Sequence, residues 1–279
     1  KPRQTLGGEE QKMKRLHIAL LIVVALAACT PDDAGQDILA PVPELRHGLM
    51  QGYLYDERPL NSAAFLPPPP ATDSAQQAAD DAASKAMRVF EGSARWTQAA
   101  VDSELHFPAA AQIFSCALGI SVTEAQTPAL YRLLQRSLTD FGLASYPAKR
   151  AYQRQRPFHI NGGEVCTPDD REMLETDGSY PSGHSAIGWG WALTLSQLAP
   201  ERAEALLTRG RAYVQSRMVC NVHWLSDTHA GMAVGAAAFA RLQNNTLFQA
   251  TVAAARRELS QASLERPGTA SCDAEAAAL

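Results

Sequence analysis

The sequence predicts an all-α protein, a single compact domain built from many helices, and three observations point that way. Beyond about residue 72, apolar residues recur at helical rather than alternating spacing. The segments are punctuated as helices are, with Thr, Asp or Ser at their starts and Gly near their ends. Strand signals are nearly absent, since no Asn-Gly turn joins β-branched runs and no alternating block reaches useful length. At 279 residues, 46% hydrophobic and 19% charged, the chain can bury one good-sized core.

The N-terminus reads as an address. Lys14 and Arg15 precede the apolar run LHIALLIVVALAA, which leads into LAAC at Leu26 to Cys29. That run is shorter than the ~20 residues a membrane-spanning helix needs. LAAC resembles the lipobox of bacterial lipoprotein signals, which implies cleavage before Cys29, lipidation of its thiol and a periplasmic product anchored to the outer membrane. Ordinary secretion, with cleavage after Ala25-Leu26-Ala27, is the alternative, and either route exports the product. Residues 1–12 lie upstream of Met13, the natural start of such a signal, so 1–29 are set apart as an upstream extension and signal.

Residues 30–71 are rich in Pro, Asp and Gly, end in LPPPP and form an extended lead-in with polyproline character. The helical body follows over 72–262. TDSAQQAADDAASKAMRVFEG opens it, and TEAQTPALYRLLQRSLTDFG adds Thr123 and Gln126 at capping-box spacing. SAIGWGWALTLSQLA, PERAEALLTRGRAYVQSRMV, HAGMAVGAAAFARLQ and TLFQATVAAARRELSQ continue it. Gly and Ala on the helix near 230–240 suit close approach of its neighbours. The tail, 263–279, is small and polar and is expected to be flexible.

A net charge of −4 gives no reason to expect a nucleic acid polymer as partner. After Cys29 no apolar stretch is long enough to span a membrane, so membrane contact is expected only through that lipid anchor. Four further cysteines, Cys116, Cys166, Cys220 and Cys272, allow three full pairings in an oxidising compartment.

Three clusters carry chemistry. In KRAYQRQRP, Lys149 and Arg156 are seven apart, which would place them on one helical face before Pro157 stops the helix. A solvated basic face is the plain alternative, with Arg150 and Arg154 nearby. In PSGH, the N–H groups of Ser182, Gly183 and His184 would open a helix and favour a phosphate-like anion, with Gly183 allowing close approach and the Ser182 hydroxyl donating or capping. A simple N-cap is the alternative there. In SRMVCNVHWLSD, His223 and Asp227 stand four apart, so a helical carboxylate could fix the tautomer that frees Nε2, while Arg217 supplies a fork for phosphate oxygens. A surface helix pair is the alternative. Metal binding by Cys220, His223, Asp227 and His229 lacks a second cysteine at zinc spacing.

In order, Lys-x6-Arg-Pro, Pro-Ser-Gly-His and Ser-Arg-x5-His-x3-Asp form the signature of the superfamily that joins type 2 phosphatidic-acid phosphatases, bacterial acid phosphatases and vanadium haloperoxidases. LPPPP, GSARW, GSYPSGH and SRMVCNVHWLSD narrow the resemblance to class A non-specific acid phosphatases, from about Leu66 to Phe248. Ser185 stands where that family often has threonine. The resemblance implies a compact all-α phosphatase domain and a Cys166–Cys220 disulfide. It makes His223 the nucleophile that forms a phosphohistidine, Asp227 its orienting partner and His184 the acid for the leaving group. Lys149, Arg156, Arg217, Ser182 and Gly183 would hold the phosphoryl oxygens.

The implied substrates are small phosphomonoesters, with phosphotransfer to alcohols as a side activity. No cofactor or metal is implied, vanadate is expected to inhibit, and a homodimer is the family-based expectation. A vanadium haloperoxidase and a non-catalytic phosphate-binding lipoprotein remain as alternatives, while a membrane-lipid phosphatase fits less well.

Overall fold

The computed structural model describes residues 37–46, 48–58, 60–261 and 263–279. The expected signal and Cys29 lie outside the described residues. A short antiparallel ribbon, β1 (Glu44–Arg46) and β2 (Leu49–Met50), precedes the helices. These are α1 (Ser62–Phe65), α2 (Ala75–Met87), α3 (Ala94–Val101), α4 (Ser115–Leu118), α5 (Pro128–Leu143), α6 (Tyr146–Tyr152) and α7 (Pro157–Asn161). Then come α8 (Arg171–Thr176), α9 (Gly183–Leu198), α10 (Ala203–Val219), α11 (Leu225–Leu242), α12 (Thr246–Leu259) and α13 (Thr269–Ala278). The architecture is all-α, as the periodicity predicts.

The central element is α9, which packs against α10, α11 and α5. A helix so enclosed must be apolar on every side, and Ile187, Trp191, Leu195 and Leu198 are all buried. The Trp191 indole N–H donates to the Leu134 carbonyl of α5 at 3.2 Å. Close packing of α9 on α11 depends on two glycines. A Cβ on Gly231 would lie 2.4 Å from the Ser182 carbonyl oxygen, and one on Gly235 would lie 2.4 Å from that of Ala186. Ser182 N–H also donates to the Asp227 carbonyl at 3.0 Å, so the N-terminal ends of these two helices are bonded together.

The lead-in is more ordered than its composition suggests. The Asp140 carboxylate of α5 accepts from the N–H groups of Tyr53 and Leu54 at 2.8 and 2.9 Å, while Arg136 donates to the Gln51 and Gly52 carbonyls. Burial pushes Asp140 up to about 6, a shift these two N–H donors oppose.

Two other expectations change. The helix anticipated from Thr123 begins at Pro128, where proline at the first position needs no hydrogen-bond partner, and its next two N–H groups donate to the Glu258 carboxylate of α12. Thr123 caps only a preceding turn, through Gln126 N–H. The tail expected to be flexible carries α13, tied by a Cys116–Cys272 disulfide and by Glu275 on Arg209 at 3.1 Å. Composition hid this because the restraint comes from a cysteine 156 residues earlier.

Replacing Gly231 by Ala should force α9 and α11 apart. Overpacking of this kind costs about 1–3 kcal/mol, which for a domain of this size is a fall in Tm of roughly 2–10 °C. Scanning calorimetry checks it, and an unchanged Tm would show that the two helices have room to spare.

Candidate active site

The site grows from three local departures from regular structure. The first is the break between α6 and α7. Gln153 adopts a left-handed φ of 45° and ends α6, and the chain runs on to Arg156, which caps α7 in extended conformation with Pro157 at its first position. Lys149 and Arg156 therefore do not share a helical face, and Pro157 starts a helix instead of stopping one. The turn brings the two cations together in a way that helical spacing could not show.

Both are buried. Lys149 Nζ lies 2.9 Å from Asp177 Oδ2 and also donates to the Gly178 carbonyl. Arg156 Nε donates to the Leu174 and Asp177 carbonyls at 2.9 and 3.0 Å, and Nη1 to the Val222 carbonyl at 2.9 Å. Its Nη2 lies 3.1 Å from Asp177 Oδ2. Burial, with Arg156 adjacent, pushes Lys149 down to about 8, a shift that Asp177 opposes.

The second departure is the start of α9. Ser182 is its N-cap, its hydroxyl accepting from Ser185 N–H at 3.2 Å, so His184 stands in the first turn as expected. A Cβ on Gly183 would come within 3.2 Å of the Ser145 hydroxyl. His184 Nε2 is 3.1 Å from the Ser103 carbonyl. A carbonyl only accepts, so Nε2 carries the proton and Nδ1 is the atom that gains or loses one.

The third is the turn between α10 and α11. His223 lies just before the helix and not on it, while Asp227 is in the first turn of α11 and accepts from Trp224 N–H at 2.8 Å. The two side chains still face each other, but the expected hydrogen bond is not made: His223 Nδ1 lies 3.5 Å from Asp227 Oδ2 and has no hydrogen-bond partner among the described residues. Arg156 Nη1 lies 3.2 Å from His223 Nε2. A guanidinium has no acceptor, so Nε2 must present its lone pair and Nδ1 the proton. The Asp227 carboxylate is buried, which raises its pKa, opposed chiefly by Arg154 at 2.6 Å.

Lys149, Arg156, Gly183, His184 and His223 line one cavity of about 160 Å³, with Leu49, Leu105, Leu138, Leu143, Met173, Leu174 and Ile187 forming much of its remaining wall. Ser182, Arg217 and Asp227 are buried and do not line it. Arg217 Nη1 donates to the Ser103 hydroxyl, and its Nε has no hydrogen-bond partner among the described residues. The expected Cys166–Cys220 disulfide is present beside this turn and takes Cys220 out of the metal set considered from sequence. Among the described residues no cluster of His, Cys, Asp or Glu could hold a metal ion.

Sequence reasoning missed the supporting residues. Ser103 joins His184 to Arg217, and no motif surrounds it. Arg154 holds Asp227 and also Asp80 at 2.7 Å, and Asp80 in turn accepts from Ser226 N–H at 2.8 Å. Arg154 belongs to the basic cluster, where its neighbours made it look solvated. Asp177 directly precedes GSYPSGH and was not singled out.

Burial and the nearby cations, Arg217 for His184 and Arg156 for His223, hold both imidazoles well below their ordinary value. Within this all-helical frame two cations, Lys149 and Arg156, and two histidines line one cavity, and Arg217 is tied to His184 through Ser103. Residues 131–247 match the PAP2 superfamily. The non-specific acid phosphatase of Salmonella typhi is 42% identical over 211 residues, which is 75% of this chain and 84% of that protein. The non-specific acid phosphatase of Providencia stuartii is 39% identical, covering 75% and 85% of the two chains. The acid phosphatase of Zymomonas mobilis is 38% identical, covering 66% and 69%. The chain belongs to the PAP2 superfamily, among its class A non-specific acid phosphatases.

A bound phosphate dianion would offset the cations that depress the two imidazoles. Nuclear magnetic resonance titration should therefore show the pKa of His184 rising when inorganic phosphate is added. A His184 pKa unmoved by saturating phosphate would place the anion elsewhere.

Proposed function

We propose that this phosphatase hydrolyses small phosphomonoesters through a phosphohistidine on His223, without a metal. The observation that carries the reading is His223 Nε2, held as a lone-pair acceptor beside Arg156, with the Asp227 carboxylate behind the same ring. When the phosphoryl group enters, its oxygens take over the Arg156 N–H and Nε2 faces phosphorus. As the N–P bond forms and the ester O–P bond breaks, the imidazole becomes cationic and Asp227 closes on its Nδ1–H, because such contacts tighten in the reacting complex. His184 gives its Nδ1 proton to the departing oxygen, then takes one from the water that breaks the N–P bond and releases phosphate. An alcohol in place of that water gives phosphotransfer.

Lys149, Arg156 and Arg217 supply the positive charge that stabilises the pentacoordinate transition state, with Ser182 and the Gly183 N–H completing the cradle. Fixed cations do here what a metal does in other phosphatases, and vanadate, which adopts the same geometry, inhibits. The low pKa of His184 predicts an optimum on the acid side of neutral, since the leaving-group acid is protonated only at low pH in the free enzyme. The basic limb of kcat/KM should accordingly lie at lower pH than that of kcat, because bound substrate raises the His184 pKa.

The apolar wall formed by Leu143, Leu138, Ile187 and Met173 favours leaving groups with a ring or hydrocarbon surface. Leu143→Ala should raise KM for an aryl phosphate by about fivefold or more while leaving inhibition by inorganic phosphate unchanged. An equal effect on both would place the leaving group elsewhere.

Export is supported by the two disulfides, which fit an oxidising compartment, and by the signal-like run before Cys29. We place the protein in the periplasm, anchored through Cys29 if the lipobox is used. Among the described residues no helix is long and apolar enough to cross a membrane.

His223→Ala should lower turnover by about a thousandfold or more and abolish the acid-labile, alkali-stable phosphoenzyme that quenching otherwise traps. Asp227→Asn should cost about a hundredfold or more in turnover and also lower the Tm, because Arg154 loses a buried carboxylate partner, and a chelator should change nothing. Retained turnover in the histidine variant would end the covalent reading, and phosphate binding without any hydrolysis by the wild type would favour a binding protein.

A further inference from the structure

The two cations nearest His223 share one carboxylate oxygen. Asp177 Oδ2 lies 2.9 Å from Lys149 Nζ and 3.1 Å from Arg156 Nη2, and Asp177 itself lines the cavity that His184 and His223 line. We propose that Asp177 is a resident counter-ion whose carboxylate stands where a phosphoryl oxygen must bind, so that substrate displaces it and its return helps expel the phosphate product. The inference rests on the phosphatase reading of the same cavity.

Three features favour displacement over a purely structural role. First, neither cation depends on the carboxylate for its position. Lys149 also donates to the Gly178 carbonyl, and Arg156 donates to the carbonyls of Leu174, Asp177 and Val222. Those carbonyls also pin the backbone beneath the carboxylate, so the side chain can rotate away while the segment stays in place.

Second, burial is unequal across the cluster. The Asp177 side chain is 28% exposed, against 5% for Lys149 and 2% for Arg156. The carboxylate is thus the member that water already solvates, and it loses least by leaving. Third, there is somewhere for it to go. Asp177 also lines a neighbouring cavity, which Tyr146, Pro147 and Arg150 line too, so that cavity has a cation in its own wall.

Electrostatics requires the exchange. A phosphoryl dianion held by Lys149 and Arg156 would meet the carboxylate at close range, where like charges in a partly buried site repel strongly. The carboxylate therefore stabilises the two cations between turnovers and opposes the anion during them. Its effect should appear as a coupling between side chain and ligand, and not as a loss of chemistry.

The test compares wild type, Asp177→Asn and Asp177→Ser. Inorganic phosphate binding is measured by titration calorimetry, KM and kcat with p-nitrophenyl phosphate, and folding by thermal melting. The expected result is a fall of roughly tenfold in the Kd for phosphate, with KM falling in parallel and kcat not increased as product leaves more slowly. The serine variant, which lacks the amide's bulk, should show the same direction.

Phosphate affinity that is unchanged or weaker in both folded variants would overturn the proposal and make Asp177 a residue that positions Lys149 and Arg156. Wild-type protein that hydrolyses p-nitrophenyl phosphate while the variants fail in this way leaves the phosphatase reading standing. Wild type that neither binds phosphate nor hydrolyses the ester removes both.

Discussion

Keeping Lys149, Arg156 and Arg217 charged while buried is the constraint on which the rest of the structure depends. Each such group loses hydration worth several kcal/mol, and three of one sign near one another add mutual repulsion. The fold meets this with backbone carbonyls. Four of them, from Leu174, Asp177, Gly178 and Val222, accept from Lys149 and Arg156, and the Ser103 hydroxyl accepts from Arg217. Dipoles of this kind hold a cation without neutralising it, so the charge stays available to an anion. Burial first, and this field second, hold both histidines in the neutral form.

The helical frame fixes where these carbonyls and cations meet. Ser182 and Asp227 start neighbouring helices and are bonded through the backbone, so the cap of α9 and the carboxylate behind His223 cannot shift independently. Glycine at 231 and 235 sets the spacing between those helices. Behind Asp227, Arg154 links it to Asp80 on α2, joining two buried carboxylates through a largely covered guanidinium, so that removal of one member would strand the others. The cap of α9 and the carboxylate behind His223 are thus parts of one network, reaching from α2 to the turn before α11.

Much of this was legible in the sequence because it is local. The PSGH cap reads directly from residue types, since Ser before Gly and His at a helix start has few other uses. The helical class follows from apolar spacing, and the closeness of α9 to α11 from small residues near 230–240. What sequence could not show was geometry made by turns. Lys149 and Arg156 meet across a left-handed residue at Gln153, and His223 reaches Asp227 from outside the helix. Ser103, Asp80 and Asp177 escaped notice because their roles are set by partners between 21 and 146 residues away in the chain. Resemblance to a family supplied the order of the motifs and the Cys166–Cys220 bond. The Cys116–Cys272 bond and the helix it restrains had no such guide.

That outer disulfide has a consequence for a nicked chain. It joins positions 156 residues apart, and the Cys166–Cys220 bond is nested within the span. Every element of the cavity from Leu138 to His223 lies inside this covalent ring. A protease that severs one exposed loop within the ring opens it without producing two separate pieces, so a clipped molecule can stay assembled. In the unfolded chain the same closure removes conformational freedom worth about 5 kcal/mol on a chain-entropy estimate, so a molecule that opens is drawn back towards its folded form.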